Sequence, residues 1–394
     1  MVATKKHQRR LRSIELFTGA GGLAIGTHLA GCDHAALLEW DQSACDTLRT
    51  NLKGNHVNLG DCEIMQTDVR DIRFSMFGEV DLVAGGPPCQ PFSLGGKGVG
   101  MDDGRNMIPE FTRAVSELTP RAFIMENVKG LLRPRFETYF SYALLCLTYP
   151  TVKRKKTEAW FEHLSRLEKI HTEGKFSDVH YNVVFRLLNS ADYGVPQTRE
   201  RVFVVGFRAD TGIKWNFPDP THSYEALHNS QFFTGEYWKK HGLQRPEKLK
   251  NAVKPKQYNF EDMLLLNKLP WTTIRDALRD LPTPRAGKKF GNILNHDFMS
   301  GARTYAGHTG SPYDLPSKTL KAGDHGVPGG ENMIVYPDDS KRYFTVREAA
   351  RIQTFPDTWQ LEGAWSRAMK QLGNAVPVQL ARVVAESVTT GLTK

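Results

Sequence analysis

The sequence predicts an α/β protein built on a doubly wound parallel sheet, accompanied by a smaller, loop-rich domain. Three observations carry this. Apolar strand-like runs alternate with helical patterns from Ile14 to Phe207, and glycine and proline punctuate the ends of those runs. After Arg208 the periodicity dissolves into Pro, Gly, His and aromatic residues through Tyr343. With 394 residues and 40% hydrophobic composition, the chain can bury one large core and a second lobe.

The strand-like runs are Ile14 to Phe17, Ala35 to Leu38, Val80 to Ala84, Ala122 to Met125, Val183 to Leu188 and Val202 to Phe207. Their continuous apolar character fits strands covered on both faces. Within the charged stretch Thr151 to Gly174, Trp160, Phe161, Leu164, Leu167 and Ile170 recur at helical spacing, predicting an inserted amphipathic helix packed at the surface. In the loop-rich region only Thr273 to Leu281 keeps a helical period. Helical spacing returns at Thr345 to Gln353, where Thr345 is a fitting N-cap with Glu348 three residues on, and again at Val376 to Val388. The chain is therefore expected to return to its first domain.

Five cysteines at positions 32, 45, 62, 89 and 146 form no C-x-x-C pair and no zinc-like spacing, which points to reduced thiols and no structural metal. The basic stretch from Met1 to Ser13 is followed by no apolar segment of the secretory kind, and no run is long enough to span a membrane. A net charge of +9, with basic clusters at Lys5 to Arg12 and Lys153 to Lys156, fits a polyanionic partner or, equally, solvated lysine faces.

Four segments carry chemistry. Gly86-Pro87-Pro88-Cys89-Gln90-Pro91-Phe92-Ser93 follows an apolar run, so a cysteine sits just past a strand end on a turn that two prolines stiffen. Taken alone, this is either a held nucleophile or a rigid turn with an incidental cysteine. At the end of the first run, Phe17-Thr18-Gly19-Ala20-Gly21-Gly22 lets a ligand approach the backbone, and Glu39 ends the next run 20 residues after Gly19, where an acid can accept bonds from a ribose. With Asp68 after a third segment, this pattern fits an adenosine-type ligand. Glu126-Asn127-Val128 places a carboxyl at another strand end, and Gln197-Thr198-Arg199-Glu200-Arg201 precedes a further strand. In a parallel sheet Cys89 and Glu126 share one crevice, which brings a nucleophile and an acid to one substrate.

Together these residues closely resemble the C5-cytosine DNA methyltransferases. The likeness covers most of the chain in that family's order: Phe17 to Gly22, Glu39-Trp40, Asp68, Pro87 to Gln90, Glu126 to Val128, Gln197 to Arg201, Arg342 to Asp357 and Gly373 to Pro377. The resemblance implies a catalytic, cofactor-binding domain in two segments, 1–207 and 342–394, around a target-recognition domain at 208–341. It implies S-adenosylmethionine as methyl donor, bound by Phe17, Gly19, Gly21, Gly22, Glu39, Trp40, Asp68, Val69, Pro88, Asn374, Ala375 and Val376, with Trp40 stacking on adenine.

The resemblance further implies that Cys89 adds to C6 of a flipped cytosine. Glu126 would serve N3, with an apolar setting raising its pKa, Arg201 would bind O2, and Arg199 would brace the catalytic loop or a phosphate. Gly95 to Gly100 suits a lid closing on DNA. In the recognition domain Thr319 and Leu320, followed by the loop Lys321 to Glu331, are expected to contact and read double-stranded DNA. The compact plan resembles prokaryotic or viral modification enzymes, acting as monomers in the cytoplasm alongside a restriction endonuclease. A tRNA-methylating relative shares the Cys89 and Glu126 motifs, but its Cys-Phe-Thr element is missing: Phe344-Thr345 follows Tyr343.

Overall fold

The structure, a computed structural model, describes residues 10–53, 59, 62–88, 106–246, 260–304, 309–322 and 332–394. It divides into two compact units. One comprises Met1–Leu187, Glu200–Phe217 and Ala381–Lys394, and the other Leu188–Arg199 and Pro218–Leu380.

The first unit is organised by a seven-stranded sheet: β1 (Leu11–Leu16), β2 (Cys32–Glu39), β3 (Glu63–Gln66), β4 (Leu82–Gly85), β5 (Ala122–Val128), β6 (Tyr181–Asn189) and β7 (Glu200–Arg208). Their spatial order is β3-β2-β1-β4-β5-β7-β6, with β6 running on into the second unit. β1 pairs with β2 and with β4, β2 with β3 and β4 with β5, all parallel. The strand order reverses between β1 and β4, so the loops after these two strands part and leave a crevice at their carboxyl ends. Helices α1 (Gly22–Leu29), α2 (Gln42–Lys53), α3 (Ile108–Leu118), α4 (Glu137–Thr148) and α5 (Trp160–Glu173) lie between the strands in sequence.

Each expected strand run coincides with an observed strand, although Phe17 falls just past β1 and Val80 and Asp81 just before β4, and two features were not anticipated. β3 is only four residues long, with Ile64 and Met65 flanked by Glu63 and Gln66 and no residue fully buried, so it lacks a sustained apolar signature. β7 is antiparallel to β5, with Ala122 opposite Phe207 and Val128 opposite Arg201, so the sheet is mostly rather than wholly parallel.

Core packing explains the register. Ile14, Leu16, Leu38, Val83, Phe123 and Met125 face Phe111 and Val115 of α3 in one buried cluster. Gly206 sits opposite Phe123 in the ladder. A Cβ there would lie 3.0 Å from Phe123 Cδ1 and nearer still to Cε1 and Cζ, so the glycine makes room for the ring. That ring meets Phe111 edge-on, with centroids 6.1 Å apart, and tilts against Tyr181 at 5.3 Å.

α5 covers the expected amphipathic stretch. It buries His163, Leu164 and Leu167 and packs on α4, where Tyr142 donates to or accepts from His163 Nδ1 at 2.9 Å.

The second unit has little sheet: a three-stranded piece of Ser311–Pro312, Met333–Val335 and Lys341–Tyr343, and a two-stranded piece of His222–Ser223 and Leu269–Pro270. Thr345 and Glu348 form the anticipated capping box of helix Val346–Ile352, and Thr273 caps Ile274–Leu278 through Asp276 in the same way. Among the described residues no helix is long and apolar enough to cross a membrane.

Gly206→Ala is expected to destabilise the protein by about 1–3 kcal/mol through overpacking against Phe123. Urea unfolding checks this, and a change below about 0.5 kcal/mol would show that the ring is free to move aside.

Candidate active site

The loop after β1 is shaped by its backbone. Phe17 (φ 59°), Gly19 (φ 57°) and Gly21 (φ 90°) all lie in the left-handed region, which turns the chain sharply into α1 at Gly22. Glu39, at the end of β2, organises this turn. Its Oε2 accepts from the Gly19 N–H at 2.7 Å, and its Oε1 accepts from Trp40 and Asp41 N–H groups, both at 2.8 Å. The carboxyl is buried, and desolvation pushes its pKa up against those three backbone donors. A carboxylate has about four acceptor positions, so three donors leave room for one more partner.

Trp40 beside it is 70% exposed, an indole face open to a stacking ligand. Nothing stands within 4 Å of where a Gly19 Cβ would be, so the space over the loop is open. These features fit an adenosine-type ligand. Asp68 caps the short turn that begins with the buried Val69, and its carboxylate is gripped by Arg70 at 2.5 Å, which holds its pKa below the usual range.

The second part of the crevice lies at the ends of β4 and β5. Glu126 is buried and forms an ion pair with Arg201, Nε to Oε1 at 2.8 Å. The ladder dictates this meeting, because Arg201 stands opposite Val128, two residues beyond Glu126 and on the same face of the sheet. A Cβ on Gly86 would lie 3.1 Å from Glu126 Oε2, so that glycine lets the strand end approach the carboxylate. Asn127, also buried, donates from Nδ2 to Pro87 O at 3.2 Å and ties the end of β5 to the turn leading to the cysteine. Pro88 is exposed. Cys89, with Gln90 to Ser93 and Gly95 to Gly100, lies outside the described residues.

The remaining predicted residues belong to the second unit. Arg199 is fully buried, and its guanidinium donates to Leu320 O at 3.1 Å and Gly373 O at 2.6 Å. It is therefore occupied by backbone carbonyls and withdrawn from solvent. Thr319 Oγ1 donates to Thr198 O at 2.8 Å, Leu320 is buried with its N–H on Gln197 Oε1 at 3.0 Å, and Lys321 is exposed. Asn374 is exposed at the end of its helix, whereas Ala375 and Val376 are buried. Of the loop Lys321 to Glu331, residues 323–331 lie outside the described residues.

Sequence reasoning named Gly86 only as the start of the proline–cysteine segment and missed both its fit to Glu126 and the side-chain work of Asn127, whose partners lie some 40 residues away. It also passed over Glu15, a buried carboxyl on β1 whose pKa burial drives well up. An acid inside an apolar strand run was the available signal.

A family model described as C-5 cytosine-specific DNA methylase matches residues 11–147 and 163–390. The Type II methyltransferase M.Eco47II of Escherichia coli is 32% identical over 391 residues, covering 97% of this chain and 79% of that protein. M.PspPI of Psychrobacter sp. (strain TA137), also a Type II methyltransferase, is 31% identical over 378 residues, covering 95% and 78%. Among solved structures, the Dnmt2 methyltransferase of S. pombe shares the fold with a TM-score of 0.53 at 16% identity, over 97% of this chain and 98% of that one. With the family motifs in order on a matching fold, the chain belongs to the C-5 cytosine-specific DNA methylase family, whose reaction is methyl transfer to cytosine C5 in DNA.

Proposed function

We propose that this protein methylates cytosine C5 within a specific double-stranded DNA sequence, using S-adenosylmethionine and Cys89 as nucleophile. The observation that carries the reading is the buried Glu126–Arg201 pair, set against Gly86 and beside the proline turn that leads to Cys89. Segments 1–207 and 342–394 would supply catalysis and cofactor binding, and 208–341 target recognition. The Type II methyltransferase relatives support a modification role; in this reading the protein acts beside a restriction endonuclease, in a prokaryotic cytoplasm and as a monomer.

Cytosine C5 is a poor nucleophile until C6 carries an added group. The Cys89 thiolate forms a bond to C6, and the electron pair of the C5–C6 double bond is pushed through C4 onto N3, which Glu126 protonates after taking up a proton from solvent as the base displaces Arg201 from its carboxylate. Arg201 donates to O2. Its five N–H donors outnumber the two partners it has among the described residues, Glu126 and the Glu200 carbonyl. S-adenosylmethionine, when bound by Glu39, Trp40 and the Phe17 to Gly22 loop, supplies an electrophilic methyl group. C5 would take the methyl as its bond to the donor sulfur breaks, leaving S-adenosylhomocysteine; a base then removes the C5 proton, and the C6–S bond breaks to restore the ring and free the thiolate. The target base must leave the stack to reach these groups, at an unstacking cost of a few kcal/mol.

Bisulfite sequencing of a plasmid incubated with the protein and S-adenosylmethionine should show conversion-resistant cytosines at one recurrent sequence. Uniform conversion would refute the reading.

Glu126→Gln is expected to slow single-turnover methylation by about a hundredfold, because an amide cannot deliver the proton. A rate within threefold of the parent would count against this role. DNA with 5-fluorocytosine at the target should form an adduct stable to denaturing electrophoresis, only with S-adenosylmethionine, since fluorine cannot leave C5 as a cation. Cys89→Ser should abolish both the adduct and methylation while retaining specific DNA binding. An equal band with that variant would remove Cys89 from the mechanism.

A further inference from the structure

The insertion between α4 and β6 plays no part in the site described above. The family match stops at residue 147 and resumes at 163, so Thr148 to Glu162 lies outside what that family model describes. Within it Lys153, Arg154, Lys155 and Lys156 are all exposed. Nearby acids would ordinarily neutralise such a run, but those of the insertion are engaged elsewhere. Glu158 holds Arg166 through both oxygens at 2.8 Å, and its Oε2 also accepts from the Lys155 N–H at 2.9 Å. Glu162 accepts from the Ala159 N–H at 2.7 Å, at the start of α5. Among the described residues no carboxylate forms an ion pair with the side chains of 153–156.

The backbone beneath these cations is fixed from α5. Buried His163 donates from Nε2 to Val152 O at 2.7 Å, and Arg166, one helical turn on, donates to Lys153 O at 2.9 Å. Lys155 O accepts from the Glu158 N–H at 3.1 Å. Four unpaired cations thus stand on a turn already ordered by folding, which lowers the entropy lost when an anion binds them.

The turn also stands at the wrong end of the sheet to serve the crevice. Val152 N–H donates to Tyr149 O at 3.0 Å, and the Tyr149 ring stacks on His180, just before β6, at 6.3 Å. His180 O accepts from Ala209 N–H at 2.9 Å, just past β7, and Tyr181 Oη donates to Pro120 O at 2.7 Å, just before β5. These residues gather at the amino end of β5, whereas Glu126 lies near its carboxyl end. A strand of this length separates the two ends by about 20 Å.

We propose that the Lys153–Lys156 turn is a second duplex-DNA surface, which holds the phosphate backbone of a segment other than the one being methylated. This rests on the reading above, in which DNA is the substrate. An enzyme seated on DNA meets further segments of the same molecule, and their phosphates are acceptors for unpaired ammonium and guanidinium groups. Such contacts carry no sequence information and fall steeply with salt. Holding a second segment lets the enzyme pass between distant sites without first leaving DNA.

The test begins with the parent locked on a short duplex of the methylated sequence, carrying 5-fluorocytosine, with S-adenosylmethionine present, so that the adduct occupies the crevice. A second, fluorescent duplex lacking that sequence is then titrated in, and its anisotropy is read at several salt concentrations. It should bind with a Kd on the order of 10 μM at moderate salt. Combining Lys153→Gln, Lys155→Gln and Lys156→Gln should weaken this binding by about tenfold or more and reduce the slope of log K against log salt by about 2 to 3. Single-turnover methylation of a short duplex by that variant should stay within about twofold of the parent, which also shows that it folds.

A second duplex that fails to bind the parent adduct, or binds parent and variant adducts alike, would overturn the proposal. An equal loss of short-duplex methylation in the variant would also overturn it, because the turn would then serve the substrate segment. Polyglutamate of matched charge binding the parent adduct more tightly than the duplex would assign the turn to an acidic protein instead. Failure of the parent to form the adduct would sink the functional reading, and the salt slopes of adduct-free parent and variant with the same duplex would still decide the turn.

Discussion

The fit of the Phe123 ring over Gly206 is the constraint from which the candidate site follows. Side chains alternate between faces of a strand, so a slip of one residue between β5 and β7 would send every β7 side chain to the opposite face. Only a residue without a Cβ can stand opposite Phe123, and this pins Gly206 there. Arg201 is then carried to Val128, from which its guanidinium reaches Glu126 at 2.8 Å. A buried carboxylate without a cation would be strongly disfavoured, and an unpaired guanidinium equally so. An aromatic contact within the β5–β7 pair thereby decides the electrostatics at the carboxyl end of β5.

A second buried carboxylate works differently. Glu39 is met by three backbone N–H groups, from Gly19 in the turn after β1 and from Trp40 and Asp41 just past its own strand end. Its burial raises its pKa while those donors oppose the rise. The result is a carboxyl used as a template: it holds Gly19 in place and keeps the left-handed turn from relaxing. The two acids thus illustrate two ways to keep charge inside a sheet, one by ion pairing and one by oriented amides.

The second unit, poor in strands, is held largely by long polar side chains acting on carbonyls. Arg347 is fully buried and donates to Leu294 O at 3.0 Å, Pro356 O at 3.0 Å and Trp359 O at 2.6 Å, and burial lowers its pKa to about 10. Arg342 pairs bidentately with Glu348, the N3 residue of a capping box, at 2.6 and 2.7 Å. Gln197 and Gln353 do similar work, the former donating to the latter at 3.0 Å. Irregular backbone can be buried only if its donors and acceptors are met, and here guanidinium and amide groups meet them in place of a ladder.

What the sequence determined by itself is local: the apolar runs that became β1, β2, β4, β5, β6 and β7, the glycine turn after β1, the capping box at Thr345, and the motif order that marks the family. These are legible because strand burial, left-handed turns and caps depend on residues within a few positions of one another. β3 escaped because two half-buried apolar residues between polar ends are too short a run to carry that pattern. Only the tertiary structure decided that β7 runs antiparallel beside β5, that Arg201 meets Glu126, that Gly86 yields to that carboxylate, and that Arg199 turns inward to Leu320 and Gly373. Each of these joins residues far apart in the chain, and the choice among partners is made by shape across the sheet and by the need to satisfy buried polar atoms, neither of which leaves a period in the sequence.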